Sequence, residues 1–324
     1  MHRRTFIAAS LGSVAGVAVA TPQGQLHSAA ALGFGTTLRL LVVHPDRGEA
    51  QRIMARAFDQ AHQVDRLMSI YNPASQVFQL NRDGVLERPD ARLLVVLSQA
   101  RALSVLTGGA FDITVQPLWQ VYRDAGTPSG RPAQRDRLMA SAKVGWKGVE
   151  ADAARVSLRK TGMQITLNGL AQGYAADLVL ASLRRDGIAQ ALVDTGEFNT
   201  AGCKPDGTAW TLGVIDPRDA TLLSATVRLA GRSLATSGDY AAAFTPDFVH
   251  HHIFDPATAD SPQELASVTV AAPSAMLADG LSTAFMVLGA RKAHALAARL
   301  DGVDVMTINK RGVVWKSPGF PAAT

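Results

Sequence analysis

The stretch TLRLLVVHPDRGEAQRIMARAFDQAHQVDRLMSIY, residues 37–71, joins two different sequence patterns and decides the fold class. TLRLLVVH, residues 37–44, predicts a strand. Residues 49–71 carry apolar side chains at helical spacing and predict a helix. The region that starts at residue 36 is therefore expected to open with a strand followed by a helix.

Both patterns continue to the C-terminus. Further helices are predicted at 92–109, 172–187, 276–288 and 291–300, and further strands at 189–196, 208–217, 224–231, 232–240 and 266–272. Hairpin-like pairs are predicted at 155–160 with 163–169 and within 304–317, and an exposed Pro/Gly-rich loop at 123–136. This order shows no regular strand-helix-strand period, so we expect an α+β fold with largely antiparallel sheets and flanking helices.

The first twenty residues, MHRRTFIAASLGSVAGVAVA, have the pattern of an export signal. Arg3-Arg4 precedes a short apolar stretch, and Ala18-Val19-Ala20 suits a signal peptidase. The arginine pair indicates the twin-arginine route, with an uncleaved anchor or a chance basic start as alternatives. We predict a signal at 1–20, a mature N-terminal tail at 21–35, a main domain at 36–324, and a periplasmic location.

Composition and missing motifs exclude several classes of protein. Removing the two signal arginines lowers the formal net charge from +5 to +3, and no basic run with interleaved aromatic residues occurs, so nucleic-acid binding is not expected. Cys203 is the only cysteine and cannot form an intrachain disulfide. Neither a GxxxxGK[ST] loop nor a strand-anchored GxGxxG is present. After the signal, no apolar run is long enough to span a bilayer.

ADGLSTAF, residues 278–285, offers oxygen ligands at the start of a predicted helix. Asp279 and Thr283 are four residues apart and share a helical face with Ser282. One carboxylate and two hydroxyls suit half of a magnesium site, because magnesium takes its other ligands from phosphates and water. The alternative is that these side chains cap the helix.

HHHIFDP, residues 250–256, invites a zinc interpretation that we reject. In an extended chain His250 and His252 point to one face and His251 to the other, so two histidines at most could share a metal. No HExxH or Cys/His cluster supplies more ligands. A histidine beside the Asp-Pro turn fits better as a proton acceptor or a contact to an anionic substrate. Solvent-facing histidines at a strand end are the alternative.

Four further stretches carry weaker signals. The glycines of LNGLAQGYAAD (167–177) allow the backbone to approach a phosphate or a metal closely, or simply make a turn. Tyr71 of MSIYN (68–72) can stack on a planar ring or pack internally. Asp112 of GGAFDITV (108–115) is flanked by apolar residues and needs a partner or a ligand. ATSGDY (235–240) is a glycine turn after a strand.

The order of these motifs resembles the FAD:protein FMN transferase family, often called ApbE, from about residue 36 to the C-terminus. The resemblance implies an enzyme with an ApbE-like mixed fold and a catalytic domain at 36–324. Such enzymes cut FAD, release AMP and attach FMN through a phosphoester to a Ser or Thr of a partner protein, using Mg²⁺. The implied partner is a membrane-bound electron-transfer subunit with a periplasmic flavin domain, such as the regulator of a nitrous-oxide reductase.

The same resemblance assigns roles to individual residues. It implies flavin contacts at Met68, Tyr71, Ala110, Phe111, Asp112, Gln172 and Ile253. It implies magnesium ligands at Asp279, Ser282, Thr283 and, through a backbone oxygen, Gly169. His252 or Asp255 would accept the proton of the acceptor hydroxyl, and the residues do not decide between the two.

The chain departs from the family pattern at four places. Thr166 stands where an acid is common, and Gln172 stands where Lys is usual, as in relatives associated with nitrous-oxide reduction. Thr195-Gly196-Glu197 replaces a Gly-Gly pair, and Ala259 stands where Gly usually closes the Asp-Pro turn. Two other functions stay open: a FAD pyrophosphatase, in which water replaces the acceptor, and a periplasmic flavin-binding protein that does not cut FAD, which would fit the departures at Thr166 and Gln172.

Overall fold

The computed structural model describes residues 24–125 and 131–323. The predicted signal at 1–20 lies outside the described residues. The strands are β1 (Gln25–Gly33), β2 (Thr36–His44), β3 (Val85–Glu87), β4 (Val149–Ala151), β5 (Arg155–Leu158), β6 (Ala191–Asp194), β7 (Phe198–Ala201), β8 (Trp210–Ile215), β9 (Leu223–Leu229), β10 (Ser233–Gly238), β11 (Leu265–Ala272), β12 (Asp304–Asn309) and β13 (Val314–Lys316). The helices are α1 (Arg47–Met68), α2 (Gln76–Asp83), α3 (Ala91–Leu106), α4 (Gln116–Asp124), α5 (Gln134–Ser141), α6 (Ala171–Arg185), α7 (Ala275–Leu288) and α8 (Ala290–Ala297).

Eight strands form the main sheet in the order β1-β2-β6-β7-β10-β11-β12-β13. Each neighbouring pair is antiparallel. β3, β5 and β4 form a second antiparallel sheet, and β8 and β9 form a two-stranded ribbon. The α+β class with antiparallel sheets and flanking helices is confirmed.

Two apolar cores lie on opposite faces of the main sheet. The larger core joins α1, α3, α6 and α7 to one face. The smaller core packs Trp210 and its neighbours on the β8-β9 ribbon against the other face. All eight residues of β11 are buried because both faces of that strand are covered. This explains why LASVTVAA is apolar or small throughout and does not alternate with charged residues.

The structure differs from the sequence interpretation in the first half of the chain. Residues 25–33, placed in a tail, form β1 and pair with β2 along their whole length. Residues 155–160 and 163–169 do not form a hairpin: β5 pairs with β3 and β4 instead. The stretch 163–169 is held by other bonds, since the Ile165 amide donates to Asn81 Oδ1 at 2.7 Å.

Helix boundaries also differ from the predicted ones. α1 ends at Met68, because the Ser69 backbone turns extended and its hydroxyl accepts from the amides of Tyr71 and Asn72 at 3.2 Å each. At the Pro/Gly-rich loop predicted at 123–136, α4 reaches Asp124 and α5 starts at Gln134, and residues 126–130 lie outside the described residues. The sequence patterns predict none of α2, α4, α5, β3, β4 and β7. Among the described residues, no helix is long and apolar enough to cross a membrane.

Candidate active site

The oxygen-bearing face of α7 lies inside the protein, in contact with β10. Ser237 Oγ of β10 lies 2.7 Å from Ser282 Oγ and 3.3 Å from Thr283 Oγ1. Asp279 and Ser282 are almost fully buried. Ser274 caps the helix and accepts from the Leu277 amide, so the capping alternative for Asp279, Ser282 and Thr283 is wrong. These side chains are available for another task.

Asp279 lies against the start of α6. Its Oδ2 accepts a hydrogen bond of 3.2 Å from the Gly173 amide. A Cβ on Gly173 would lie 2.4 Å from the Ala275 carbonyl oxygen, so the two helices can approach this closely only with glycine here. Burial raises the pKa of Asp279 to about 7, the Gly173 amide opposes that shift, and the negative charge of Asp177 adds to it.

Asp177 has a structural role at the start of α7. Its carboxylate accepts hydrogen bonds from the Ala275 and Met276 amides at 2.8 and 3.0 Å. The Asn199 side-chain amide donates a third bond of 2.7 Å. A carboxylate at a helix N-terminus satisfies amides that have no partner within the helix and interacts favourably with the helix dipole. Asp177 therefore orients α7 and presents the Asp279 face.

Gly169 brings backbone up to the same face of α7. A Cβ on Gly169 would lie 3.0 Å from Thr283 Oγ1 and 3.5 Å from Phe111 Cε2. The structure thus brings together Gly169, Phe111 and Thr283. Close approach of backbone to a hydroxyl-bearing helix allows a carbonyl oxygen to join the side-chain oxygens as a ligand.

This donor set fits a hard divalent cation. It contains one buried carboxylate and two hydroxyls, with the Gly169 backbone next to Thr283, and its side chains offer no soft sulfur or nitrogen donor. Within residues 24–125 and 131–323, no group of three or more His, Cys, Asp or Glu side chains could hold a metal ion. A cation here would complete its shell with phosphate oxygens and water, as Mg²⁺ does in phosphate-handling sites.

Gln172 is held to the turn that precedes β7. Its side-chain amide donates to the Thr195 carbonyl at 2.8 Å, and the Thr195 hydroxyl donates to the Gln172 carbonyl at 2.8 Å. Gly196 has a φ of +101°, and a Cβ there would lie 2.1 Å from Gln172 Nε2. Gln172 therefore orders the segment that carries Glu197.

Glu197 is the acid that sequence reasoning missed as a site residue. Its Oε2 accepts a hydrogen bond of 3.2 Å from the Thr236 amide on β10. Burial raises its pKa well above the usual range, and the negative charges of Asp279 and Asp194 raise it further. The only signal in the sequence was an acid directly after Gly196, which by itself indicates a turn.

Asp112 finds its partners inside the protein. Its Oδ1 accepts from the Thr114 amide at 2.7 Å and from the Thr114 hydroxyl at 2.5 Å, and its Oδ2 accepts from the Trp146 amide at 2.9 Å. Burial raises the pKa of Asp112, and these hydrogen bonds oppose the shift. Asp112 thereby orders the segment that follows Phe111, and a contact of Asp112 with flavin stays a prediction.

The predicted flavin residues differ in accessibility. Met68, Phe111 and Ile253 are buried in the larger core, and Ala110 is partly exposed. Tyr71 is 66% exposed, so packing does not explain it. Its ring meets Trp119 edge to face at 6.5 Å, and Arg123 lies 4.9 Å over the Trp119 ring. Tyr71 is available for stacking on a planar ligand.

The three histidines face different surroundings. His250 Nδ1 lies 2.9 Å from Asp260 Oδ1. His251 is fully buried, and burial is the main cause that lowers its pKa to about 4. His252 is partly exposed, and its amide donates to the Ala242 carbonyl at 3.0 Å. His252 and Asp255 lie on the loop that leaves β10 beyond Ser237.

The turn that follows Asp255-Pro256 contains a left-handed backbone conformation of the kind that glycine usually adopts. Asp255 Oδ1 accepts from the Ala257 amide at 2.9 Å, and the Ala259 amide donates to the Asp255 carbonyl at 2.9 Å. Ala259 has a φ of +55°, a left-handed conformation that costs an alanine about 1–2 kcal/mol. The departure at Ala259 therefore leaves the turn intact and adds local strain.

Comparisons with known proteins agree on one family. The model of the ApbE family matches residues 34–307. The FAD:protein FMN transferase of Salmonella typhimurium is 31% identical over 306 residues, covering 89% of this chain and 86% of the relative. The ApbE protein of Thermotoga maritima superimposes with a TM-score of 0.80 at 28% identity, covering 91% of this chain and 97% of its own. The flavinyl transferase ApbE of Pseudomonas stutzeri gives 0.76 at 29%, covering 91% and 96%.

Proposed function

The chain belongs to the ApbE family, and we propose that it transfers the FMN part of FAD to a Ser or Thr hydroxyl of an acceptor protein, releases AMP, and requires Mg²⁺. It is an enzyme of the FAD:protein FMN transferase type, so a protein must receive the flavin. The observation that carries the proposal is the face of α7 on which Asp279 and Ser282 are buried, Ser237 bonds to Ser282 and Thr283, and Gly169 lies next to Thr283.

The metal would be held by Asp279, Ser282, Thr283 and the backbone oxygen of Gly169. When bound, Mg²⁺ would neutralise negative charge on the pyrophosphate of FAD. Phosphoryl transfer depends mainly on positioning and charge neutralisation, so the protein needs to supply little covalent chemistry. Two contacts support this arrangement: Asp177 orients the start of α7, and the Gly173 amide holds the Asp279 carboxylate.

The exposed Tyr71 ring would stack on the isoalloxazine or adenine of FAD, with Trp119 behind it. Phe111 contacts the Gly169 region from the same side as Thr283, so the flavin end and the phosphate end of the substrate would lie near each other. Met68, Ala110, Asp112, Gln172 and Ile253 complete the proposed flavin set. Gln172 and Asp112 would act by ordering the backbone around the substrate, since their side chains bond to the protein.

The acceptor hydroxyl would attack the FMN phosphorus, and its proton would pass to His252 or Asp255. The bond between the FMN phosphorus and the bridging oxygen would break, and AMP would leave carrying that oxygen. Both residues lie on the loop beyond Ser237, and Asp255 also shapes its turn through the Ala257 amide. Separate His252→Ala and Asp255→Asn variants decide between them, because only loss of the proton acceptor lowers the rate at saturating FAD without changing metal affinity.

The acceptor would be an electron-transfer subunit with a periplasmic flavin domain. The basic, twin-arginine start of the chain supports export to the periplasm. Co-expression of candidate acceptors with and without this protein tests the pairing. A mass increase equal to one FMN on a Ser or Thr peptide, present only with this protein, is the expected result.

Purified protein, FAD, Mg²⁺ and an acceptor domain test the reaction itself. Asp279→Ala should abolish FMN attachment, and near-native labelling would refute the metal assignment. The products separate the rival functions. Free FMN accumulating without labelled acceptor would indicate a FAD pyrophosphatase. FAD left intact after long incubation with Mg²⁺ would indicate a flavin-binding protein.

A further inference from the structure

We propose that Glu197 is a positioning residue of the metal site, supplying a second carboxylate charge that helps Asp279 to hold a divalent cation at the start of α7. The inference rests on the proposed Mg²⁺ site and adds to it a residue that neither the sequence motifs nor the ligand set at Gly169, Asp279, Ser282 and Thr283 contains.

A hydrogen bond ties the Glu197 carboxylate to β10, one residue before Ser237. The carboxylate is bonded to the amide of Thr236 at 3.2 Å. Thr236 directly precedes Ser237, and the Ser237 hydroxyl lies within 2.7 and 3.3 Å of Ser282 and Thr283. The amide that binds Glu197 therefore belongs to the residue next to Ser237 on β10. The Ser237 hydroxyl in turn bonds to the oxygens proposed as ligands.

Negative charges surround the Glu197 carboxylate, and a cation would offset them. In the described parts of the chain, the Glu197 carboxylate forms no ion pair with Lys, Arg or His, while Asp279 and Asp194 act on it with negative charge. Asp279 is buried and Glu197 is half-buried. Like charges shielded from water are costly unless a cation or a proton offsets them. A divalent cation near Asp279 would offset both carboxylates at once.

The neighbouring acids Asp177 and Asp194 have more partners inside the protein than Glu197 has. Asp177 bonds to α7 and Asn199, and Asp194 accepts from the Gly196 amide at 3.0 Å and lies 4.0 Å from Arg39. Within the described residues, Thr236 is the only hydrogen-bond donor to the Glu197 carboxylate, and it bonds to Oε2. Glu197 Oε1 could therefore accept a hydrogen bond from a water bound to the cation. Residues outside the direct ligands commonly tune a metal site through such contacts.

Calorimetric titration of the full chain with Mg²⁺, alone and with ADP as a pyrophosphate-bearing probe, tests the inference. Glu197→Gln keeps the shape of the side chain and an oxygen for the Thr236 amide. It should weaken Mg²⁺ binding by roughly 10–100-fold, the range seen when outer partners of metal ligands are removed. Glu197→Asp should fall between the native protein and Glu197→Gln. Glu87→Gln, an exposed glutamate on β3, is the matched control and should bind as the native protein does.

Thermal unfolding with and without Mg²⁺ provides a second readout that does not depend on activity. A folded Glu197→Gln protein should gain less stability from a given Mg²⁺ concentration than the native protein, because the gain follows the dissociation constant. Equal Mg²⁺ affinity in Glu197→Gln and native protein, with weaker binding in Asp279→Asn, would overturn the role of Glu197 alone. No Mg²⁺ binding by the native protein, with or without ADP, would overturn the proposed metal site as well.

Discussion

The Gly173 amide donates a hydrogen bond of 3.2 Å to Oδ2 of Asp279, and this bond joins two helices at the candidate active site. The contact requires glycine, because a Cβ at residue 173 would lie 2.4 Å from the Ala275 carbonyl oxygen. The carboxylate proposed to bind the metal is thus held by the packing of α6 against α7.

Gly173→Ala should lower both stability and activity. The added methyl group forces α6 and α7 apart, at a cost of roughly 1–3 kcal/mol in the free energy of unfolding. Denaturant unfolding and FMN transfer measure the two effects. Gly48→Ala in the first turn of α1 is the control, since its Cβ would meet only side-chain atoms, the nearest at 3.3 Å. Equal behaviour of the two variants would contradict the close-approach argument.

Tyr71→Ala should weaken FAD binding and leave the fold unchanged. The ring is 66% exposed, so its removal costs little core packing. Loss of a stacking contact worth about 1–3 kcal/mol should raise the KM for FAD by roughly 5- to 150-fold. Steady-state kinetics give the KM, and thermal unfolding checks stability. Trp315→Ala, which removes an exposed aromatic ring on β13, should leave the KM at the native value.

Arg218→Met should destabilise the protein strongly. Arg218 donates hydrogen bonds of 2.7 and 2.8 Å to Asp239, a carboxylate with no exposed surface. Removing one partner of a buried ion pair typically costs 3–5 kcal/mol, and Lys310, 3.8 Å from Asp239, should reduce the loss to about 2–4 kcal/mol. Denaturant unfolding measures it. Arg82→Met breaks an exposed pair with Asp83 and should cost less than about 1 kcal/mol.

His251 should make the protein less stable as the pH falls from about 6.5 to about 4. Burial lowers the pKa of His251 to about 4, with a smaller opposing effect from the Pro262 carbonyl. Between these pH values the unfolded chain binds a proton that the folded protein does not, so acid favours unfolding. The resulting loss in the free energy of unfolding reaches at most roughly 3 kcal/mol, and above pH 6.5 this loss is absent.

Unfolding curves of native protein and His251→Gln across this pH range measure the effect. Glutamine keeps a donor for the Pro262 carbonyl, which His251 Nε2 meets at 3.2 Å, but does not titrate. The stability difference between the two proteins should shrink as the pH falls. Buried acids such as Asp112 and Asp177 are common to both proteins and cancel in that difference. A constant difference from pH 7 to pH 4 would refute a neutral buried His251.

The helices α1, α6 and α7 and most strands of the second half were predictable because their side-chain periods are local. The stretches whose secondary structure differs from the prediction depend on hydrogen-bond partners that are distant in the sequence. Residues 163–169 carry a strand-like pattern, yet the Ile165 amide bonds to Asn81, and the strand expected beside them pairs with β3. Residues 25–33 become a strand because β2 offers a free edge along their length.

The sequence by itself determined that Asp279, Ser282 and Thr283 share one face of a helix, since three- and four-residue spacings are neighbours on any α-helix. Only the tertiary structure decided that this face is buried and joined by Ser237, which lies 45 residues from Ser282. The Gly173 contact with Asp279 spans 106 residues. Which distant groups meet depends on how helices and strands pack over the whole chain, and local spacing carries no information about that.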